Sequence, residues 1–231
     1  MQRPGRRSSN FSWFKKLFGI EQPQSPDLEP SPQPTKPSHP GEGQTTLDIN
    51  NPTMLKQLNE AKRYRAIIET ASRQYGLQPS VICGMGSRES HWGLGLTPPA
   101  PNGRGDFARR RPRGDRRTPE PPDGPGYGRG LMQIDYDWHE FARTGRWYVP
   151  KENIIYACTV LDKAKTFFRN KRVRLSDQQM LQAMIAAYNG GATATLRAIQ
   201  AGQDIDANTT GRDYSRDVLN RSGWFRLHGW R

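Results

Sequence analysis

Three prolines, Pro52, Pro79 and Pro150, each stand at the head of a stretch in which apolar residues recur every three or four positions. Proline lacks a backbone N–H and holds φ near about −65°, so it suits the first turn of a helix and disrupts the interior. Asn51 before Pro52 supplies an N-cap. Met54, Leu58, Ala61, Tyr64, Ile68, Ala71 and Tyr75 then line one face, and Gly76 offers a left-handed stop. This spacing predicts one helix over 52–75. Pro79 opens a second helix, SVICGMGSRES, with Val81, Ile82 and Met85 apolar. Pro150 opens a third, striped by Ile154, Cys158, Leu161 and Phe168. Ser176 and Gln179 form a capping box for a fourth that runs through Met184 and Tyr188 to Gly190-Gly191. Two shorter helices are expected, at 192–201 and at about 211–222. The only strand-like piece is GLMQID, Gly130–Asp135, behind a glycine-rich turn. The predicted fold class is therefore mainly α, with a small β-hairpin.

The other prolines mark what lies outside this pattern. Of 19, eight fall in residues 1–40 and eight between Pro98 and Pro125. The stretch Glu21–Gly43 is polar and has no periodic apolar face. It cannot repay an ordering cost of about 1–2 kcal/mol per residue, which predicts an extended, disordered linker. Residues 1–47 are thus expected to be a basic, proline-rich tail, and 48–231 the folded domain. Thr97–Gly130 carries eight arginines and seven glycines, and lies inside that domain as a long inserted loop. Near the N-terminus, Phe11, Phe14, Leu17 and Phe18 share one helical face. Residues 11–20 read either as a short amphipathic helix for a membrane surface or partner, or as a disordered basic tail with scattered aromatics.

Composition excludes several classes. No run approaches the roughly 18 apolar residues of a transmembrane helix, and Lys15 and Lys16 interrupt any secretory core. Two cysteines, Cys83 and Cys158, are too few for a disulfide scaffold, and packing as small hydrophobes is favoured over a bridge. No HExxH and no phosphate-binding glycine loop is present, so no metal or cofactor is expected. The net charge of +13 suits an anionic partner. The densest basic patch, Arg109–Arg117, has no nucleic-acid-binding signature beside it, so no specific nucleic acid is expected. It reads as a solvated loop or as a docking patch for an anionic polymer.

The chemistry rests on carboxylates. Glu89, in SRESHWG, ends the second helix on the face of Ile82 and Met85. Apolar burial and the negative end of the helix dipole would both keep it protonated near neutral pH. A neutral carboxylic acid in a cleft is what a glycosidase uses to protonate a leaving oxygen. Asp135 closes the LMQI run, and Asp137 reads as the N-cap of a short helix.

Four motifs occur in order: SRESH (Ser87–His91), GLMQID with a histidine four residues on (Gly130–His139), AAYNGG (Ala186–Gly191) and TTGRDYSRDV (Thr209–Val218). Over roughly residues 55–225 the chain resembles the goose-type lysozymes and the related soluble lytic transglycosylases. The resemblance implies a lysozyme-like helical bundle around a buried central helix, with the hairpin lining a cleft, and peptidoglycan as substrate. It implies Glu89 as the catalytic acid and Asp135 as a carboxylate that holds the attacking water. Gln133, His139, Tyr188, Asn189 and Tyr214 match positions near the sugar cleft. The family's second water-positioning aspartate falls in the inserted loop. Counting back without gaps reaches Gly124, with Asp123 one place off, and Asp106 in GDF is the other candidate. The expected activity is inverting hydrolysis of the β-1,4 bond between N-acetylmuramic acid and N-acetylglucosamine. Without a second carboxylate, the muramyl C6 hydroxyl would attack instead, as in a transglycosylase forming 1,6-anhydro ends. A non-catalytic wall-binding module is the remaining alternative. The chain is expected to act as a monomer. Its substrate lies outside the cytoplasmic membrane, yet no ordinary export signal is readable, which leaves its location open.

Overall fold

The computed structural model describes residues 44–108 and 120–231. The expectations for 1–43, including the 11–20 helix, and for Arg109–Arg117 lie outside the described residues. The fold is mainly helical, as the sequence predicts. Helices α1 (Pro52–Lys62), α2 (Arg65–Tyr75) and α3 (Pro79–Ser90) precede a small sheet. Helices α4 (Glu140–Thr144), α5 (Pro150–Asn170), α6 (Asp177–Gly190), α7 (Ala192–Gln200) and α8 (Tyr214–Leu227) follow it. No helix among the described residues is long and apolar enough to cross a membrane.

The caps do what their residue types suggest. The Asn51 side chain accepts from the backbone N–H groups of Thr53 and Met54, and Ser176 and Gln179 form a reciprocal capping box. The single helix expected over 52–75 is instead two. At Arg63 and Tyr64 the backbone tightens, with Arg63 N–H bonded to Glu60 O and Tyr64 N–H to Ala61 O, and Tyr64 leaves helical geometry at φ −110° and ψ 12°. The break turns the buried Tyr64 ring onto Trp92, with centroids 5.8 Å apart and planes 21° from parallel. Apolar spacing runs unbroken through that point, so periodicity alone could not show it.

Helix α3 is the centre of the molecule. Ser80–Ser87 and Ser90 are all buried, as expected of a helix enclosed on every side. Its main neighbour is α8, and the two backbones nearly touch. A Cβ on Gly84 would stand 2.5 Å from Val218 O, so no larger residue fits without moving a helix. Around them pack Ile68, Ile154, Leu161, Phe168, Ile185, Trp224 and Phe225, each 0–1% exposed. Cys83 and Cys158 are buried and unbridged, and burial pushes both thiols up, Cys158 to about 12.

The sheet has three antiparallel strands rather than one hairpin: β1 (Arg104–Gly105), β2 (Gly128–Arg129) and β3 (Ile134–Asp135). Gly105 faces Gly128, and Gly128 faces Asp135. GLMQID is therefore a strand only at its end. Gly130 and Gln133 have φ of 68° and 47°, and the segment between them is a turn. The last helix also differs from expectation. A 3-10 turn, Thr210–Arg212, replaces its first residues, and α8 extends to Leu227. Its start is set from a distance by the buried Asp206 carboxylate, which accepts from Ser215 N–H (2.9 Å), Ser215 Oγ (2.7 Å) and Arg216 N–H (3.3 Å).

Candidate active site

Glu89 lies at the C-terminal end of α3, two residues before the helix closes on His91 at φ 50°. The flanking serines of the motif hold this end in place. Ser87 Oγ bonds Gln57 at 2.5 Å and accepts from Arg221 at 3.0 Å, while Ser90 Oγ donates to Leu131 O at 2.7 Å. Burial raises the Glu89 pKa to about 7. A hydrogen bond from Tyr214 and the charge of Arg88 pull it down, while the charge of Asp106 pushes it up. Tyr214 Oη donates directly to Glu89 Oε1. Tyr214 is 2% exposed, and its own burial holds the phenol protonated and able to donate.

Arg88 was not singled out by the sequence reading. It makes ion pairs with Asp217 (3.2 Å) and Asp213 (3.5 Å), and lies 5.8 Å over the Tyr214 ring. It thus ties the helix that carries Glu89 to the helix that carries Tyr214. Its position beside Glu89 in SRESH was the available signal.

The turn between β2 and β3 is bonded from three helices. Asn153 on α5 accepts from Met132 N–H (2.8 Å) and donates to Arg129 O (3.0 Å). Tyr188 on α6 donates to Met132 O (2.7 Å), and Ser90 on α3 reaches Leu131 O. Buried backbone groups that a longer strand would pair in a ladder are here satisfied by side chains. Gln133 lies across the sheet. Its amide donates to Gly130 O at 2.9 Å, and a Cβ on either Gly105 or Gly128 would come within 2.1 Å of its Oε1. Those two glycines leave the space that Gln133 fills.

Asp135, at the end of β3, accepts from the N–H of Asp137 (2.8 Å) and Trp138 (3.3 Å). Asp137 does not cap the next helix as expected. The N-cap residue of α4 is His139, and the turn before it is organised by Asp135. His139 Nδ1 contacts Tyr156 Oη at 3.2 Å, and burial lowers its pKa. Asn189 Oδ1 accepts from Thr210 N–H at 2.7 Å. Asp135, His139, Tyr188 and Asn189 converge on a cavity of about 640 Å³ whose wall also includes Lys163, Phe167 and Trp138. Trp138 is 64% exposed, and sequence reasoning missed it because a lone tryptophan in a loop has no periodic context.

The two candidates for the second carboxylate lie in different surroundings. Asp123 Oδ1 is 2.8 Å from Arg129, a fully buried arginine, and Asp123 Oδ2 is 3.3 Å from Arg104. Asp106 follows β1 directly, at φ 49°, and its charge acts on Glu89. Asp123 is thus paired at the base of the inserted loop, while Asp106 stands at the end of β1.

A family model described as "Lysozyme g" matches residues 53–229. Lysozyme g of Takifugu rubripes is 33% identical over 172 residues, covering 73% of this chain and 76% of that one. Lysozyme g of Struthio camelus is 29% identical over 175 residues, covering 76% and 72%, and that of Gallus gallus 29% over 177, covering 76% and 69%. With the motifs, the fold and the family match in agreement, the chain belongs to the goose-type lysozymes, a family of glycoside hydrolases.

Proposed function

We propose that the protein hydrolyses the β-1,4 bond between N-acetylmuramic acid and N-acetylglucosamine in peptidoglycan, with inversion, and that Glu89 is the general acid. The observation that carries this reading is the Glu89 carboxyl, whose pKa of about 7 keeps much of it protonated at neutral pH. A protonated carboxyl with a pKa near the working pH is a good donor to a leaving glycosidic oxygen. Tyr214 fixes the rotamer through Oε1, which leaves Oε2 to face the substrate.

Inversion needs a water on the opposite face of the sugar and a carboxylate to orient and deprotonate it. Asp106 is assigned this role in place of Asp123 because it directly follows Gly105, over which Gln133 lies, and its charge acts on Glu89. Asp135, on the cavity wall, acts with Asp106. His139, Tyr188 and Asn189 form the sugar-binding surface on that wall, Gln133 lies across the sheet, and the buried Tyr214 serves the site by holding Glu89. The Glu89 proton passes to the departing O4, the water oxygen bonds to C1, and the water's proton goes to the aspartate.

Mass spectrometry of muropeptides from purified sacculi tests this. Reducing-end products made by the parent and lost in Glu89→Gln are expected. Products lighter by one water, with 1,6-anhydro ends, would instead make the enzyme a lytic transglycosylase and relieve Asp106 of its role. Binding of sacculi without any product would reduce the domain to a wall-binding module.

A further inference from the structure

A second cavity, of about 460 Å³, lies beside the sheet between the start of the inserted loop and the segment after α4. Its lining includes Asn102, Arg104, Phe107, Trp147 and Tyr148. We propose that it is an accessory glycan-binding pocket that holds the same polymer away from the bond being cut. The inference rests on peptidoglycan being the substrate.

Phe107 is 51% exposed and Tyr148 50%. Single exposed aromatics are ordinary, but here two of them converge with Trp147 on one concavity whose volume falls within the range of small-ligand sites, roughly 300–1,000 Å³. The rings are held in position. Trp147 meets Tyr148 edge to face, with centroids 5.9 Å apart and planes at 81°. The guanidiniums of Arg129 and Arg104 lie 5.4 and 5.8 Å over the Trp147 ring, and both arginines are fixed in turn by Asp123. Ordering has therefore been met in advance, which is what favours a binding platform.

The ligand chemistry follows from the lining. The C–H face of a pyranose is flat and apolar and stacks on an aromatic ring, while its hydroxyl and acetamido groups need polar partners such as Asn102 at the rim. A pocket for an apolar peptide would have aliphatic walls, and here Pro98 and Pro125 are the only aliphatic residues beside the aromatics and the polar Thr97, Asn102 and Arg104. Phe107 immediately follows Asp106, so the pocket begins where β1 ends and the inserted loop starts.

The test is pelleting with purified sacculi in a Glu89→Gln background, with and without Tyr148→Ala or Phe107→Ala. Either pocket substitution should weaken retention about fivefold to tenfold, and soluble chito-oligosaccharide should compete for the difference. With Glu89 restored, both variants should cleave a short soluble oligosaccharide at the parent rate while losing activity on sacculi. Retention unchanged by both substitutions, or a loss that the oligosaccharide does not compete for, overturns the pocket. A parent that binds but never cleaves overturns the hydrolase reading alone, since the pelleting result still decides the pocket. Melting curves control for folding, and Phe107→Ala decides if Tyr148→Ala melts early.

Discussion

Glu89 and Tyr214 reach the site from α3 and α8, helices packed so closely that Gly84 has no room for a methyl group against Val218. Asp135, and Asp106 one residue past β1, are carried by a sheet of three strands of two residues each. That sheet is too short to hold itself, and polar contacts support it: Asn153, Tyr188 and Ser90 on the turn, and Asp123 with Arg104 and Arg129 at the loop base. One side of the site is placed by apolar packing, which is broad and nondirectional. The other is placed by a few directional bonds, each of which matters individually. Damage should therefore be graded on the helical side and concentrated at single residues on the sheet side.

The largest effect should come from Glu89→Gln, with a loss of activity on the order of a thousandfold or more, read from muropeptide release. Its stability should move the other way. Glu89 binds its proton more tightly folded, at about 7, than at its ordinary value of 4.5, so stability present below about pH 4.5 is lost as pH rises through 7. Above pH 7 the variant should exceed the parent by on the order of 3 kcal/mol, whereas at pH 4 the two should melt together. An advantage independent of pH would show that packing, not protonation, separates them.

Next comes the contrast between the two aspartates. Asp106→Asn should lower kcat on sacculi by on the order of a hundredfold with little change in melting. Asp123→Asn should keep kcat within a few fold but leave the buried Arg129 poorly paired, at a cost of about 1–2 kcal/mol for an interaction that is partly exposed on the aspartate side. The opposite pattern would return Asp123 to the reaction. Asn153→Ala removes two bonds from buried backbone and should cost about 2–4 kcal/mol, seen as an earlier melting transition. A far smaller loss would mean that the turn is held by packing after all. The mildest change is expected from Tyr214→Phe. The lost bond favours the ionised carboxylate, so Glu89 should titrate higher and the alkaline limb of the pH–activity profile should shift upward. A downward shift would assign Tyr214 a different role.

The same division governs what could be read from the sequence. Helix ends were legible because Asn51, Gly76, Pro79, Pro150 and the Ser176–Gln179 box act through local geometry. The raised pKa of Glu89 was legible because the residue ends the apolar helix α3. The break at Tyr64 depends on Trp92, and the start of α8 depends on Asp206. Neither partner is near in sequence. The apolar LMQI run reads as a strand because it is buried, but its backbone bonds go to distant side chains on helices. Asp106 and Asp123 could not be separated by counting residues, since the insertion removes the register, and where each stands follows only from the sheet pairing of Gly105 with Gly128.

The chain departs from the sheet at Asp106 and returns at Tyr127, and the Tyr127 N–H bond to Asp106 O, at 2.9 Å, closes the excursion. Lengthening a closed loop costs only about 0.6 kcal/mol for each doubling. The backbone at Asp106 is thus held at the mouth of the loop, by a bond that does not depend on the loop's length. Replacing only the stretch between Ala108 and Glu120, which leaves Phe107 and Asp123 in place, is expected to keep the sheet, so that stretch can serve as a socket for a wall-targeting peptide or a reporter tag.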